Sequence, residues 1–76
     1  MDTRETVIQK ISDQKGIDKA SIKLENTFSE LGLDSLDMVE LSLDLEQSLG
    51  ITISHTDIEK IKTVGEAIDF VEKNKK

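Results

Sequence analysis

The sequence predicts an all-α fold: a small four-helix bundle of three main helices and one short helix, with a long ordered loop after the first. Three observations carry this expectation. Apolar residues at three- and four-residue spacing recur between residues that cap helices, with Asp, Thr or Ser at the start and Gly at the end. The 8 Leu, 9 Ile, 4 Val and 2 Phe make about 30% of the 76 residues, well above the ~20% below which a charged chain stays unfolded. No internal repeat or low-complexity linker divides the chain, so residues 1–76 read as one domain.

Each element has its own signals. Asp2 or Thr3 caps a first helix whose core face is Val7, Ile8 and Ile11, and Gly16 ends it. Residues 17–34 carry apolar anchors (Ile17, Ile22, Leu24, Phe28, Leu31, Leu33) without a sustained period. They read as a long ordered loop with room for a short helical turn, and such loops are often functional. A second helix begins at Asp34 or Ser35, with Asp34 as N-cap and Asp37 favouring the same end of the dipole; it runs to Leu49, and Gly50 ends it. Ile51-Thr52-Ile53 suggests a brief extended crossing. Ser54 caps a short helix containing Ile58 and Ile61, with Asp57 three residues after the cap. Thr63-Val64-Gly65-Glu66 is a capping box opening a last helix that buries Ala67, Ile68 and Val71, with Phe70 at its edge. Lys73-Asn74-Lys75-Lys76 then places positive charge at its C-terminal end.

Composition excludes several functions. With no Cys, there is no disulfide framework and no Cys-based zinc site, and any reactive sulfur must arrive on a cofactor. Apolar runs reach two residues, far short of the ~20 of a membrane helix, and Met1-Asp2-Thr3-Arg4-Glu5 lacks the apolar core of a signal peptide. The expected location is therefore cytoplasmic, without membrane insertion. A net charge of −6 suits nucleic acid poorly. That charge is also uneven. No Lys or Arg lies between Lys23 and Lys60, while Glu25, Glu30, Asp34, Asp37, Glu40, Asp44, Glu46, Asp57 and Glu59 are all acidic. Nine acids without a base destabilise the compact state by mutual repulsion, which makes a purely solubilising face a poor account of them.

The second helix has one apolar face more than a surface helix needs. Met38, Leu41, Leu45 and Leu49 form one stripe, opposite the polar face of Asp37, Glu40, Asp44 and Gln47. Leu36, Val39 and Leu43 form a second stripe about 150° from the first. Either neighbours wrap the helix on two sides, or the second stripe is an exposed ridge flanked by carboxylates. The ridge reading makes it a docking surface, where acids steer a basic partner and the apolar residues supply the desolvated contact. Ser35 stands at its head.

Catalytic signals are weak. Ser35 has no adjacent His, and His55, the single His, reads as a loop residue beside a helix start. No Gly-x-Ser-x-Gly elbow, calcium loop or phosphate-cradling Gly-rich loop is present. Asp34 and Asp37 are explained as caps rather than as an acid pair. The sequence points to a non-catalytic protein with no resident metal.

The stretch Phe28-Ser29-Glu30-Leu31-Gly32-Leu33-Asp34-Ser35-Leu36-Asp37-Met38-Val39-Glu40-Leu41 closely resembles the acyl carrier proteins of dissociated, type II fatty acid synthesis, whose hallmark is Asp-Ser-Leu at the start of the second helix. The likeness extends over nearly the whole chain, including Ile51-Thr52-Ile53 and residues 60–71. It implies that Ser35 carries 4′-phosphopantetheine, donated from coenzyme A by a phosphopantetheinyl transferase, and that acyl groups ride on the arm's terminal thiol. It implies a cofactor-site role for Asp34, as a cap first and next to the metal used during transfer second. By the same carry-over, Leu36, Asp37, Val39, Glu40, Leu43 and Glu46 form the recognition helix for basic patches on fatty acid synthesis enzymes, and Phe28, Leu41, Leu45, Ile53, Ile58 and Ile61 line an acyl-chain pocket. A monomer is expected. The chain departs from the family at Ser54-His55-Thr56, where a proline and acids are frequent, and at Asp44, a position more often apolar or small. These departures leave open a specialised carrier for another lipid, polyketide or aminoacyl pathway. From the residues alone, an unmodified acidic helical adaptor also stays open.

Overall fold

The structure, a computed structural model, describes residues 2–74. Its elements are α1 (Thr3–Lys15), a single 3-10 turn (Lys19–Ser21), α2 (Ser35–Leu49), α3 (His55–Lys60) and α4 (Val64–Asn74). Among the described residues there is no strand; one isolated antiparallel bridge joins Thr27 to Thr63. The fold is thus the expected all-α bundle of three main helices and a short one.

The helices start and stop where their caps dictate. Asp2 is the cap of α1, accepting from the Arg4 N–H; Thr3, the other candidate, is inside the helix and buried. Gly16 and Gly50 end α1 and α2 in the left-handed conformation, their N–H groups donating to Ser12 and Glu46 carbonyls. Ser54 and Asp57 close a reciprocal box at α3, whose C-cap is Ile61, so Ile61 flanks the helix that was expected to contain it. At α4 the Glu66 carboxylate accepts from the Lys62 and Thr63 N–H groups while Thr63 Oγ1 accepts from the Glu66 N–H. Lys73 lies in the last turn of α4; Lys75 and Lys76 fall outside the described residues.

α1 packs against both α2 and α4, and α2 against α3. The core joins Val7 and Ile11 of α1, Leu41 and Leu45 of α2, and Val64, Ala67, Ile68 and Val71 of α4, sealed by Ile22, Phe28, Leu33, Ile51 and Ile53 from the connections. Most anchors of the long loop go inward, but Leu24 is exposed. Its backbone explains why: the Leu24 carbonyl accepts from the Gly65 N–H, and a Cβ at Gly65 would lie 3.2 Å from that oxygen. The loop is docked here through its main chain, with the side chain turned out. Ile51 and Ile53 are buried and Thr52 is exposed, as alternation predicts, yet the segment pairs with no strand; instead the Ile53 N–H donates to Glu46 Oε2 at 2.8 Å.

The approach to α2 is more ordered than the sequence suggested. Thr27 and Glu30 exchange hydrogen bonds as a capping box, and one helical turn follows, closed by Gly32 N–H to Ser29 O and Leu33 N–H to Phe28 O. Gly32, at φ 86°, takes the left-handed position this closure requires. Phe28 and Leu33, the two ends of the turn, are both buried, so the chain enters α2 from a fixed point.

Candidate functional site

The site assembles around the start of α2. Asp34 is the N-cap; its Oδ1 accepts from the Asp37 N–H at 2.9 Å, and Asp37 Oδ2 accepts from the Asp34 N–H at 3.0 Å. The two acids are therefore a capping box. The Asp34 N–H, and then the Lys15 ammonium 3.2 Å from Oδ2, hold the Asp37 carboxyl below its ordinary range. Gln14 adds a third contact, its Nε2 donating to the Asp37 carbonyl at 2.8 Å. Ser35, the first residue of the helix, is exposed, and its hydroxyl engages no partner among the described residues.

The second apolar stripe of α2 is uncovered. Leu36 is 74% exposed, Leu43 50% and Val39 36%, whereas Leu41 and Leu45 are buried and Met38 and Leu49 half-buried against the core. The ridge and the core stripe are thus separate faces of one helix. Glu40 lies on the ridge side and, among the described residues, its carboxylate has no hydrogen bond or ion pair. Two other expected recognition acids are already engaged inside the molecule: Asp37 with Lys15 and the cap, Glu46 with the Ile53 N–H.

Beside Ser35 an open groove of about 710 Å³ runs between α2 and α3, with Phe28, Leu33, Met38, Val39, Ile58 and Ile61 on its apolar walls and Asp34, Glu59, His55 and Lys62 at its edges. Beneath it lies a small apolar void of about 20 Å³, bordered by Phe28, Leu41, Leu45, Ile53, Ile58 and Ile61 together with Met38, Ser42 and Ala67. The six residues named for an acyl pocket thus surround one space, roughly one water in size. Phe28, Met38, Ile58 and Ile61 border both groove and void and form the partition between them.

Some contributors escaped the sequence reading. Met38 was legible only as core. Thr27 and Ser29 line the groove, and the Thr27-x-x-Glu30 pattern that orders them was readable as a capping box. His55 is the first residue of α3 rather than part of a loop, and it borders the groove that Ser35 also lines; the Ser54-x-x-Asp57 cap already implied a helix beginning at His55. Among the described residues no three His, Cys, Asp or Glu side chains converge as a metal site.

The family described as the phosphopantetheine attachment site matches residues 5–71 of this sequence. The chain belongs to that family. Two solved structures show the same fold and carry the name acyl carrier protein. The protein from Thermotoga maritima is 36% identical, with a TM-score of 0.79, and the match covers 95% of this chain and 89% of that one. The protein from Enterococcus faecalis is 34% identical, with a TM-score of 0.73, covering 93% of this chain and 96% of that one. The acyl carrier fold therefore comes with its prosthetic group, 4′-phosphopantetheine. The residues of this carrier fit such a group: an exposed, unpartnered serine hydroxyl at a helix start, beside a groove with apolar walls and polar edges. As an acyl carrier it works with a transferase and with synthesis enzymes, and no described helix is long and apolar enough to cross a membrane.

Proposed function

We propose that Ser35 is the attachment residue and that the chain carries growing acyl groups for fatty acid synthesis, as a cytoplasmic monomer of one domain that catalyses nothing itself. The observation that carries this reading is the exposed, unbonded Ser35 hydroxyl at the head of a helix whose outer face is an uncovered apolar ridge. When bound, the prosthetic group supplies the thiol on which acyl groups are held as thioesters, the sulfur a cysteine-free chain lacks. The chain's own residues divide the remaining work. Free N–H groups of the first turn of α2 favour an anion on Ser35. Asp34 is committed to the cap, which holds that turn in place.

Leu36, Val39 and Leu43 offer the desolvated contact for a partner enzyme, and Glu40 the free charge that meets a basic patch. Asp37 and Glu46 act mainly by holding the helix and the crossing behind it. Phe28, Leu41, Leu45, Ile53, Ile58 and Ile61 would shelter an acyl chain once the Met38–Ile58 partition parts, because a void of about 20 Å³ is too small to hold one closed.

A second reading, a specialised carrier, is supported by His55 at the edge of the groove and by the exposed Asp44 on the polar face of α2. Family membership speaks against an unmodified adaptor. Identifying the acyl groups released from protein isolated from its host separates the carriers. Saturated chains of stepwise length support fatty acid synthesis; polyketide or aminoacyl units alone would transfer the assignment to the second reading.

A further inference from the structure

The position of Ser35 Oγ depends on a chain of contacts that begins in α1. The serine hydroxyl has no hydrogen-bond partner among the described residues, so the backbone of the first turn places it. That turn is set by the Asp34–Asp37 box, and among the described residues the box is gripped from outside through Asp37: Gln14 Nε2 on its carbonyl and Lys15 Nζ on its carboxylate. The Lys15 side chain also passes close to the chain on the other side of the serine. Its Cε lies over Gly32, 3.9 Å from where a Cβ there would stand, in the turn that delivers the chain into α2. Its stem thus lies near the residue three before Ser35, and its charge meets the residue two after. Since no Lys or Arg occurs from residue 24 to residue 59, the cation for this box has to come from elsewhere in the chain, and the last turn of α1 provides it.

We propose that Lys15 is a positioning residue for modification of Ser35, bracing the Gly32 turn and the Asp34–Asp37 cap against α1 so that the hydroxyl is presented in one place. The inference rests on Ser35 being the attachment residue. It separates two roles around α2: the ridge and Glu40 govern how tightly a transferase binds, whereas Lys15 governs how well the bound serine is aimed. Aim is felt in kcat, since small displacements of a reacting group lower the rate of a bound complex without weakening its formation.

The test is the kinetics of loading by a phosphopantetheinyl transferase with coenzyme A and magnesium, on wild type, Lys15→Met and Lys15→Arg. Methionine keeps most of the stem over Gly32 and removes the charge. The expected result is a kcat about tenfold lower for Lys15→Met, with KM within about twofold of wild type, and recovery of kcat in Lys15→Arg. Amide exchange adds a readout independent of the transferase: the Asp34 N–H, which donates to Asp37, should exchange faster in Lys15→Met while core amides of α4 are unchanged. An unchanged kcat overturns the proposal, as does a change confined to KM that salt abolishes, which would make Lys15 merely part of the charge field. A variant that loses α4 protection as well overturns it too, because Lys15 would then be holding the whole fold. Wild-type protein that takes up no mass defeats the carrier reading itself, an outcome distinct from equal loading of wild type and variant.

Discussion

Asp37, Asp57 and Glu66 each turn back onto the N-cap of their own helix, and the hydrogen bonds received there hold each carboxyl below its ordinary value. For Glu66 the donors are the Lys62 and Thr63 N–H groups. A value lowered in the folded state means that the unfolded chain binds the proton first, so the stability contributed is complete above the ordinary value of 4.5 and is lost as pH falls through the lowered one. Glu66→Gln keeps an acceptor without the titration. The gap in Tm between wild type and Glu66→Gln should be widest above about pH 4.5 and close as pH falls below it; thermal melts across pH 3–7 measure it, and a gap independent of pH would refute the assignment. These boxes were legible because both partners sit three residues apart. The Lys15–Asp37 contact was not, since its partners lie 22 positions apart and only the packing of α1 on α2 brings them together.

Helix α2 separates stability from recognition on its two apolar stripes. Leu41 is 2% exposed and Leu36 74%, so truncation to alanine should read out differently. Leu41→Ala is expected to lower the unfolding free energy by about 3 kcal/mol, from lost burial plus the cavity left behind. Leu36→Ala should stay within about 0.5 kcal/mol of wild type in urea unfolding, yet weaken binding to a partner enzyme. Equal destabilisation by the two changes would mean that the ridge is part of the core. The 3.6-residue period made both stripes visible in the sequence. It left open which one the neighbours cover, because that depends on where α3 and the long loop lie. The loop was legible as anchors without a path, and Leu24 shows the limit: its backbone is the docking group and its side chain faces outward.

Across the whole molecule, the negative charge is concentrated between residues 24 and 59, which hold nine acids and no Lys or Arg. Some of it is put to structural use: Asp34, Asp37 and Asp57 cap helices, Glu30 orders the turn before α2 and Glu46 pins the crossing. The remainder, including Glu40, Asp44 and Glu59, is left to repel. Moderate sodium chloride, and magnesium more strongly, should therefore raise Tm by screening that field. Calorimetric scans at increasing salt check this, and a flat or falling Tm would show that repulsion does not limit stability. The bundle was predictable from caps and period. The partition between groove and void was not, because a cavity's size follows from how side chains meet rather than from which residues are apolar.

The central claim, that Ser35 bears the phosphopantetheine arm, is tested most directly by intact mass. Protein incubated with coenzyme A, magnesium and a phosphopantetheinyl transferase should gain the mass of one phosphopantetheinyl group, fragment analysis should locate it on Ser35, and Ser35→Ala should gain nothing. No gain by the wild-type protein, or an undiminished gain by Ser35→Ala, would contradict the account.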